Sequence, residues 1–269
     1  MFEFASEYLF FLLKIITVVI ALVYIFSVLS SAKVKKQGKG HLSVKNLSKS
    51  FKSMGLQINK SHLSVKEFKK LLKEEKKQDK KASKSKDKDA VFVLDFMGDV
   101  QATGDVKLKE EINAILSSKL KCKEVVLKME SRGGSAYAYG LCAAELKRLV
   151  DNGINLTVCI DKVAASGGYL MSCVATKIIA APWAIVGSIG VIAQLPNFHK
   201  LLKKNDIDIE LHTAGEFKRT LTSLGKNTAE GRKKFISELQ ELHTVFKDFV
   251  SENRSQIDTK KVATGEVWQ

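Results

Sequence analysis

Three short stretches hold the residues with chemistry to offer: Ala164-Ala165-Ser166-Gly167-Gly168, Glu130-Ser131-Arg132-Gly133-Gly134 and Gly215-Glu216-Phe217-Lys218-Arg219. Each glycine pair follows an apolar run rich in β-branched residues and precedes a helix-like pattern. A serine at such a strand-to-helix turn is held at a helix N-terminus, where backbone N–H groups can meet a developing oxyanion. Small neighbours on either side, Ala165 and Gly167, let a backbone approach closely, and Gly167 can donate its N–H. That arrangement suits acyl transfer through Ser166. The plainer alternative is a tight turn that needs glycines and happens to contain a serine.

Serine needs a base to lose its proton at neutral pH. The histidines are His41, His62, His199, His212 and His243. The first two fall in a lysine-rich segment, and His243 falls in a long helical pattern outside its main apolar stripe. His199 and His212 remain open as bases, although neither has the acidic or glycine-rich surroundings of a Ser-His-Asp arrangement. A lysine is the other option, because an amine buried away from water favours its neutral form. Lys218 sits in a loop after a strand expected over 207–211.

The elements that must position these residues form a separate, later part of the chain. The net charge of +15 suggests nucleic acid until it is located. Residues 33–89 carry 19 lysines against six acids, so the remainder is close to balanced. Phe51 and Phe68 are the only aromatic residues among those lysines, so no run of interleaved aromatics supports base stacking. A solvated linker, or one lying against anionic lipid, fits better than a nucleic-acid partner. Upstream, residues 8–29 are apolar apart from Lys14, Thr17 and Ser27, long enough for a bilayer-crossing helix. A cleaved signal peptide is the alternative, with Ser30 and Ala32 resembling a cleavage site; the leading Glu3 and Glu7 and the length of the run argue against it.

Three regions follow: a membrane anchor over 1–32, a basic and largely disordered linker over 33–89 with a short amphipathic helix at 63–75, and an α/β domain over 90–269. Strands are expected over 90–96, 124–129, 155–160, 177–181 and 207–211, with helices over 107–120, 136–151 and 166–176 between them. The repeated βα order argues for a mostly parallel sheet. Thr228 opens a long helix whose Phe235, Leu239, Leu242, Phe246 and Phe249 make one apolar stripe, expected to be packing surface. The four cysteines (122, 142, 159, 173) form no CxxC and read as free thiols. No metal site and no cofactor is expected.

Taken together, 163–169 (Val-Ala-Ala-Ser-Gly-Gly-Tyr), 185–191 (Ile-Val-Gly-Ser-Ile-Gly-Val) and the loop at 214–220 resemble the signal peptide peptidase A family of membrane serine peptidases (peptidase family S49), most closely its SohB branch. The resemblance implies a ClpP/crotonase-like fold and a Ser–Lys dyad in a bacterial inner-membrane endopeptidase, acting on membrane-near or signal-peptide-like substrates. Ser166 matches the nucleophile, Lys218 the general base and Ser188 a serine that orients the lysine amine. Gly133, Gly134 and Gly167 match the oxyanion turns. Half-length members complete the dyad between neighbouring protomers of a ring, so a homo-oligomer is implied. Two departures stand out. Arg132 occupies the position of a family proline, and the chain stops at Gln269 where members continue for several dozen residues, as a truncated product would. Lysines 33, 35, 36 and 39 after the anchor favour a cytoplasmic domain; the family resemblance favours the outer face. A crotonase-type acyl-CoA enzyme and a non-catalytic scaffold are the competing readings.

Overall fold

The computed structural model describes residues 10–22, 42–84 and 89–269. The chain divides into two units, Met1–Val44 and Lys45–Gln269. In the first, residues 10–22 form helix α1 with exposed side chains. Among the described residues no helix is long and apolar enough to cross a membrane. The rest of the span expected over 8–29 lies outside them.

Helix α3 (Val65–Lys84) realises and extends the helix expected over 63–75, while helix α2 (Leu47–His62) corrects the expectation of disorder in the rest of the lysine-rich segment. Composition alone overweights its charge. Asn46 caps α2 by accepting the Lys49 N–H at 2.9 Å. Ser64 and Glu67 form a capping box on α3: the Ser64 N–H and hydroxyl donate to Glu67 Oε2 at 3.0 and 2.6 Å, and the Glu67 N–H donates back at 3.4 Å. Those bonds hold the Glu67 carboxyl below its ordinary range. Phe68, Leu71 and Leu72 add a half-buried stripe along α3, and lysine and glutamate are themselves good helix formers. Residues 76–84, within the linker expected to be largely disordered, continue α3.

From Ala90 the expected alternation appears: β1 (Ala90–Gly98), α4 (Asp105–Ser117), β2 (Cys122–Ser131), α5 (Ala136–Asp151), β3 (Asn155–Ala165), α6 (Gly167–Ser172) and β4 (Lys177–Ala180). Short β5 (Ile185–Gly187), α7 (His199–Lys204), the long α8 (Ala229–Asn253), α9 (Thr259–Val262) and β6 (Val267–Trp268) complete it. The sheet runs β1-β2-β3-β5-β6, with β4 also on β3. Every pairing is parallel except β5 with β6. Strand β3 is long enough to serve two partners, β4 along 157–160 and β5 along 163–165.

The core lies between this sheet and helices α4, α5 and α6. Leu127, Met129, Leu156, Val158 and Ile160 from the strands meet Leu108, Ile112, Leu146 and Leu149 from the helices, all at most 2% exposed. Near-continuous apolar strands are what a sheet with parallel crossovers requires. Thr228 caps α8, accepting the Gly231 N–H at 3.0 Å. At its other end buried Arg254 donates to the Ala175 carbonyl, tying α8 to the segment after α6.

The strand expected over 207–211 does not form. Ile207, Ile209 and Leu211 alternate as a strand's residues would, yet each is 43–49% exposed, and no strand among the described residues pairs with them. Alternation without a partner and a face to bury does not hold a strand.

Leu127 is fully buried in a central strand, so Leu127→Ala should lower stability by about 2–5 kcal/mol in urea unfolding of the detergent-solubilised chain. The four cysteines are free. Burial pushes the Cys142 thiol up to about 11 and the Cys173 thiol up to about 12, from 9.0. The folded state therefore keeps protons that the unfolded chain releases above pH 9, and stability should fall as pH rises from 9 toward 11–12. A Cys142→Ala/Cys173→Ala variant should show a shallower fall, by roughly 1 kcal/mol per thiol at pH 10.

Candidate active site

Strands β2 and β3 run parallel, so their C-terminal ends lie side by side, and both glycine-bearing turns leave the sheet at that edge. The register shifts between Met129 and Ser131, after which Ser131 pairs with Ala164. That shift keeps the two strand ends adjacent although β3 has run further. Gly133 is thereby brought against Ser166 and Gly167, and Gly168 against Ser131.

Ser166 sits at this junction in an unusual backbone conformation, φ +52°, ψ −117°. L-residues rarely occupy the positive-φ region, and a residue kept there must be held by its surroundings. Here its N–H donates to the Gly187 carbonyl at 2.7 Å and its carbonyl accepts the Leu170 N–H at 2.9 Å. The side chain is half-buried, and its hydroxyl makes no hydrogen bond among the described residues. Gly133 lies directly opposite with φ +86°. A Cβ there would come within 2.7 Å of both the Gly167 nitrogen and the Ser166 Cβ, so conformation and space each require glycine.

Both turns open onto one cleft of about 1290 Å³. Ser166, Gly167, Gly134, Arg132 and Ser188 line it, together with Leu170, Val191, Ile192 and the α8 residues Phe235, Leu239, Leu242, Phe246 and Phe249. The α8 stripe expected as packing surface thus walls the cleft, although Phe246 also reaches the core. The Gly134 and Gly167 N–H groups make no hydrogen bond among the described residues. Gly133 differs from the expectation of a third oxyanion donor: its N–H donates to Ser131 Oγ at 3.0 Å.

Ser188 is half-buried at φ +51°. Its N–H donates to the Glu266 carbonyl at 2.7 Å and its hydroxyl to the Gly265 carbonyl at 3.3 Å. Lys218 stands apart. It lies outside the cleft lining, exposed on the 212–227 loop, and its amine has no hydrogen bond or ion pair among the described residues. Its backbone N–H donates to the Gly215 carbonyl at 3.2 Å. The structure therefore gathers Ser166, Ser188, Gly134 and Gly167 and leaves Lys218 out.

Three lining residues carry ionisable groups, Arg132, Tyr137 and His243, and no carboxylate is among them. Arg132 is exposed at the rim. His243, set aside on sequence grounds, lines the cleft with its Nε2–H donating to the Ile189 carbonyl at 3.2 Å. Its place off the α8 stripe concealed it. Beneath the turns lies a buried pair that sequence reasoning also missed, Ser131 and Tyr139, whose hydroxyls are 2.6 Å apart. A tyrosine on the inner face of an amphipathic helix gives no signal beyond core packing.

Family models match almost the whole chain. The description "Peptidase family S49 N-terminal" covers residues 3–146, and "Peptidase family S49" covers 148–269. The probable protease SohB of Haemophilus influenzae is 46% identical over 272 residues, which is 96% of this chain and 77% of that one. The probable protease SohB of Buchnera aphidicola subsp. Schizaphis graminum is also 46% identical, over 97% of this chain and 79% of its own. The one from Buchnera aphidicola subsp. Acyrthosiphon pisum reaches 56% over 67% of this chain and 54% of its own. With a serine held in a strained turn at the mouth of a cleft and relatives of this identity along its length, the chain belongs to peptidase family S49 and is a serine-type peptidase.

Proposed function

We propose that the chain is a membrane-anchored endopeptidase with a ClpP/crotonase-like core, in which Ser166 and Lys218 form a catalytic dyad shared between protomers of a ring. The observation that carries this reading is the composition of the cleft: a strained serine and two unpaired backbone N–H groups meet there, while Lys218 lies outside on an exposed loop. A base delivered by a neighbouring copy supplies what one chain lacks. His243 is the imidazole within the cleft that could compete as a base: its Nε2–H donates to the Ile189 carbonyl, which leaves the Nδ1 lone pair free, and the His243→Gln variant below separates the two.

In this mechanism Ser166 Oγ attacks the scissile carbonyl carbon as the neutral amine of Lys218 takes its proton. The Gly134 and Gly167 N–H groups bind the tetrahedral oxyanion, a role that favours the transition state over the ground state. Collapse breaks the C–N bond, and the Lys218 ammonium returns the proton to the departing amine. Water, deprotonated by the same amine, then attacks the acyl-enzyme and releases Ser166. Ser188 orients the incoming amine by turning its hydroxyl from the Gly265 carbonyl. The apolar walls of the cleft suit an extended apolar peptide near a membrane, as in a residual signal peptide. Residues 8–29 serve as anchor within 1–32, residues 33–89 as a basic connection that meets anionic lipid, and residues 90–269 as the peptidase domain.

Full-length protein in detergent, assayed with a fluorogenic apolar peptide, tests the dyad and its sharing together. Ser166→Ala and Lys218→Ala should each lower kcat/KM by roughly a thousandfold or more, while His243→Gln should retain most activity. Co-assembling the two inactive variants in equal amounts should restore roughly a quarter of wild-type activity, because one interface type in four then joins an intact serine to an intact lysine. An active Lys218→Ala would remove the lysine from the mechanism. A co-assembled mixture that stays inactive would place both residues of the dyad in one chain.

A further inference from the structure

We infer that Tyr139 is a positioning residue that sets the spacing between the two oxyanion donors, holding one turn with its ring and the other with its hydroxyl. The inference rests on the catalytic reading above and assigns a role to a residue that touches neither the nucleophile nor the cleft.

Four groups form an ordered chain beneath the turns. The Tyr139 hydroxyl lies 2.7 Å from the Asp99 carbonyl oxygen, 2.6 Å from Ser131 Oγ, and Ser131 Oγ lies 3.0 Å from the Gly133 nitrogen. The direction of every bond is forced. A carbonyl oxygen only accepts, so the single Tyr139 proton goes to Asp99. Ser131 must then donate its own proton to Tyr139 Oη, which leaves a Ser131 lone pair to accept the Gly133 N–H. Tyr139 is fully buried and Ser131 is 2% exposed, so water offers no substitute for any member. Burial also pushes the Tyr139 phenol up from its ordinary value, keeping it a donor.

The ring does the second half of the work. A Cβ added to Gly167 would fall 2.3 Å from Tyr139 Cγ, so the ring lies directly against the Gly167 backbone. A Cβ on Gly98 would meet the Tyr139 hydroxyl at 2.3 Å and Ser131 Oγ at 2.4 Å, leaving no slack on that side. Phe96 meets the ring edge-on, with centroids 6.4 Å apart at 76°. One side chain therefore bears on Gly167 through carbon contact and on Gly133 through Ser131. Fixing the Gly133 amide at φ +86° orients the next one, Gly134, whose N–H is unpaired in the cleft.

Tyr139→Phe keeps the ring against Gly167 and removes the hydroxyl, and Ser131→Ala cuts the same chain one link later. Each should lower kcat by about 10- to 100-fold, somewhat less than outright loss of an oxyanion donor, with KM within about twofold of wild type. The double variant should be no worse than the more impaired single one, since both act through one chain. Affinity for a peptide boronate, whose adduct on Ser166 places an oxyanion at the same amides, should fall by the same factor as kcat/KM. Binding of the uncleaved peptide, measured in the Ser166→Ala background, should not change. An unimpaired kcat in both folded single variants overturns the inference, and so does an equal loss of boronate and peptide affinity, which marks general collapse of the cleft. Should Tyr139→Phe fail to fold, Ser131→Ala decides alone. Wild-type protein that cleaves no peptide, or an active Ser166→Ala, counts instead against the catalytic reading.

Discussion

Everything at the site depends on how β2 and β3 end together. Parallel strands deliver their C-terminal ends to one edge, and the register shift before Ser131 lets β3 run longer without separating those ends. Side by side, the two turns have almost no room between them, because backbone atoms of one occupy the place of any side chain on the other. Gly133 is packed against Ser166 and Gly167, and Gly168 against Ser131, so the two turns carrying Gly134 and Gly167 interlock. Their amides are placed by the sheet, whose hydrogen bonds and apolar core are far stiffer than the turns would be by themselves.

Much of this was legible in the residues. Strands ending in glycine pairs and followed by helical periodicity gave the βα order, and helix α5 falls on 136–151 as the pattern predicted. Local rules work there because each element's own pattern agrees with its tertiary setting. They fail where that agreement is missing. Residues 207–211 alternate like a strand but pair with no strand among the described residues, a fact that lies elsewhere in the chain. On either side of the helix expected at 63–75 the segment looks too charged to fold, yet caps and a short apolar stripe outweigh composition.

The site itself was legible only in part, for a related reason. Ser166, Gly134 and Gly167 announce themselves through local sequence, whereas the partners that fix them come from far away. Asp99 and Tyr139 are 40 residues apart, and His243 reaches the Ile189 carbonyl across 54. Short-range spacing carries no trace of such contacts. The α8 stripe shows the same limit from the other side. Its period predicts which residues share a face, but not that the face looks onto an open cleft rather than a closed core.

Arg132 occupies a singular position in this crowded turn. The residue before it, Ser131, is buried in the hydroxyl chain, and the residues after it, Gly133 and Gly134, have no space for a Cβ, which on Gly134 would fall 2.1 Å from the Val100 carbonyl oxygen. Arg132 alone turns outward to the rim. Among these neighbours it is the one slot where a side chain can be exchanged without disturbing the amides below it. The turn thus separates what must stay fixed from what is free to drift, and lineages can explore new chemistry at the mouth of the cleft while the machinery beneath it is left alone.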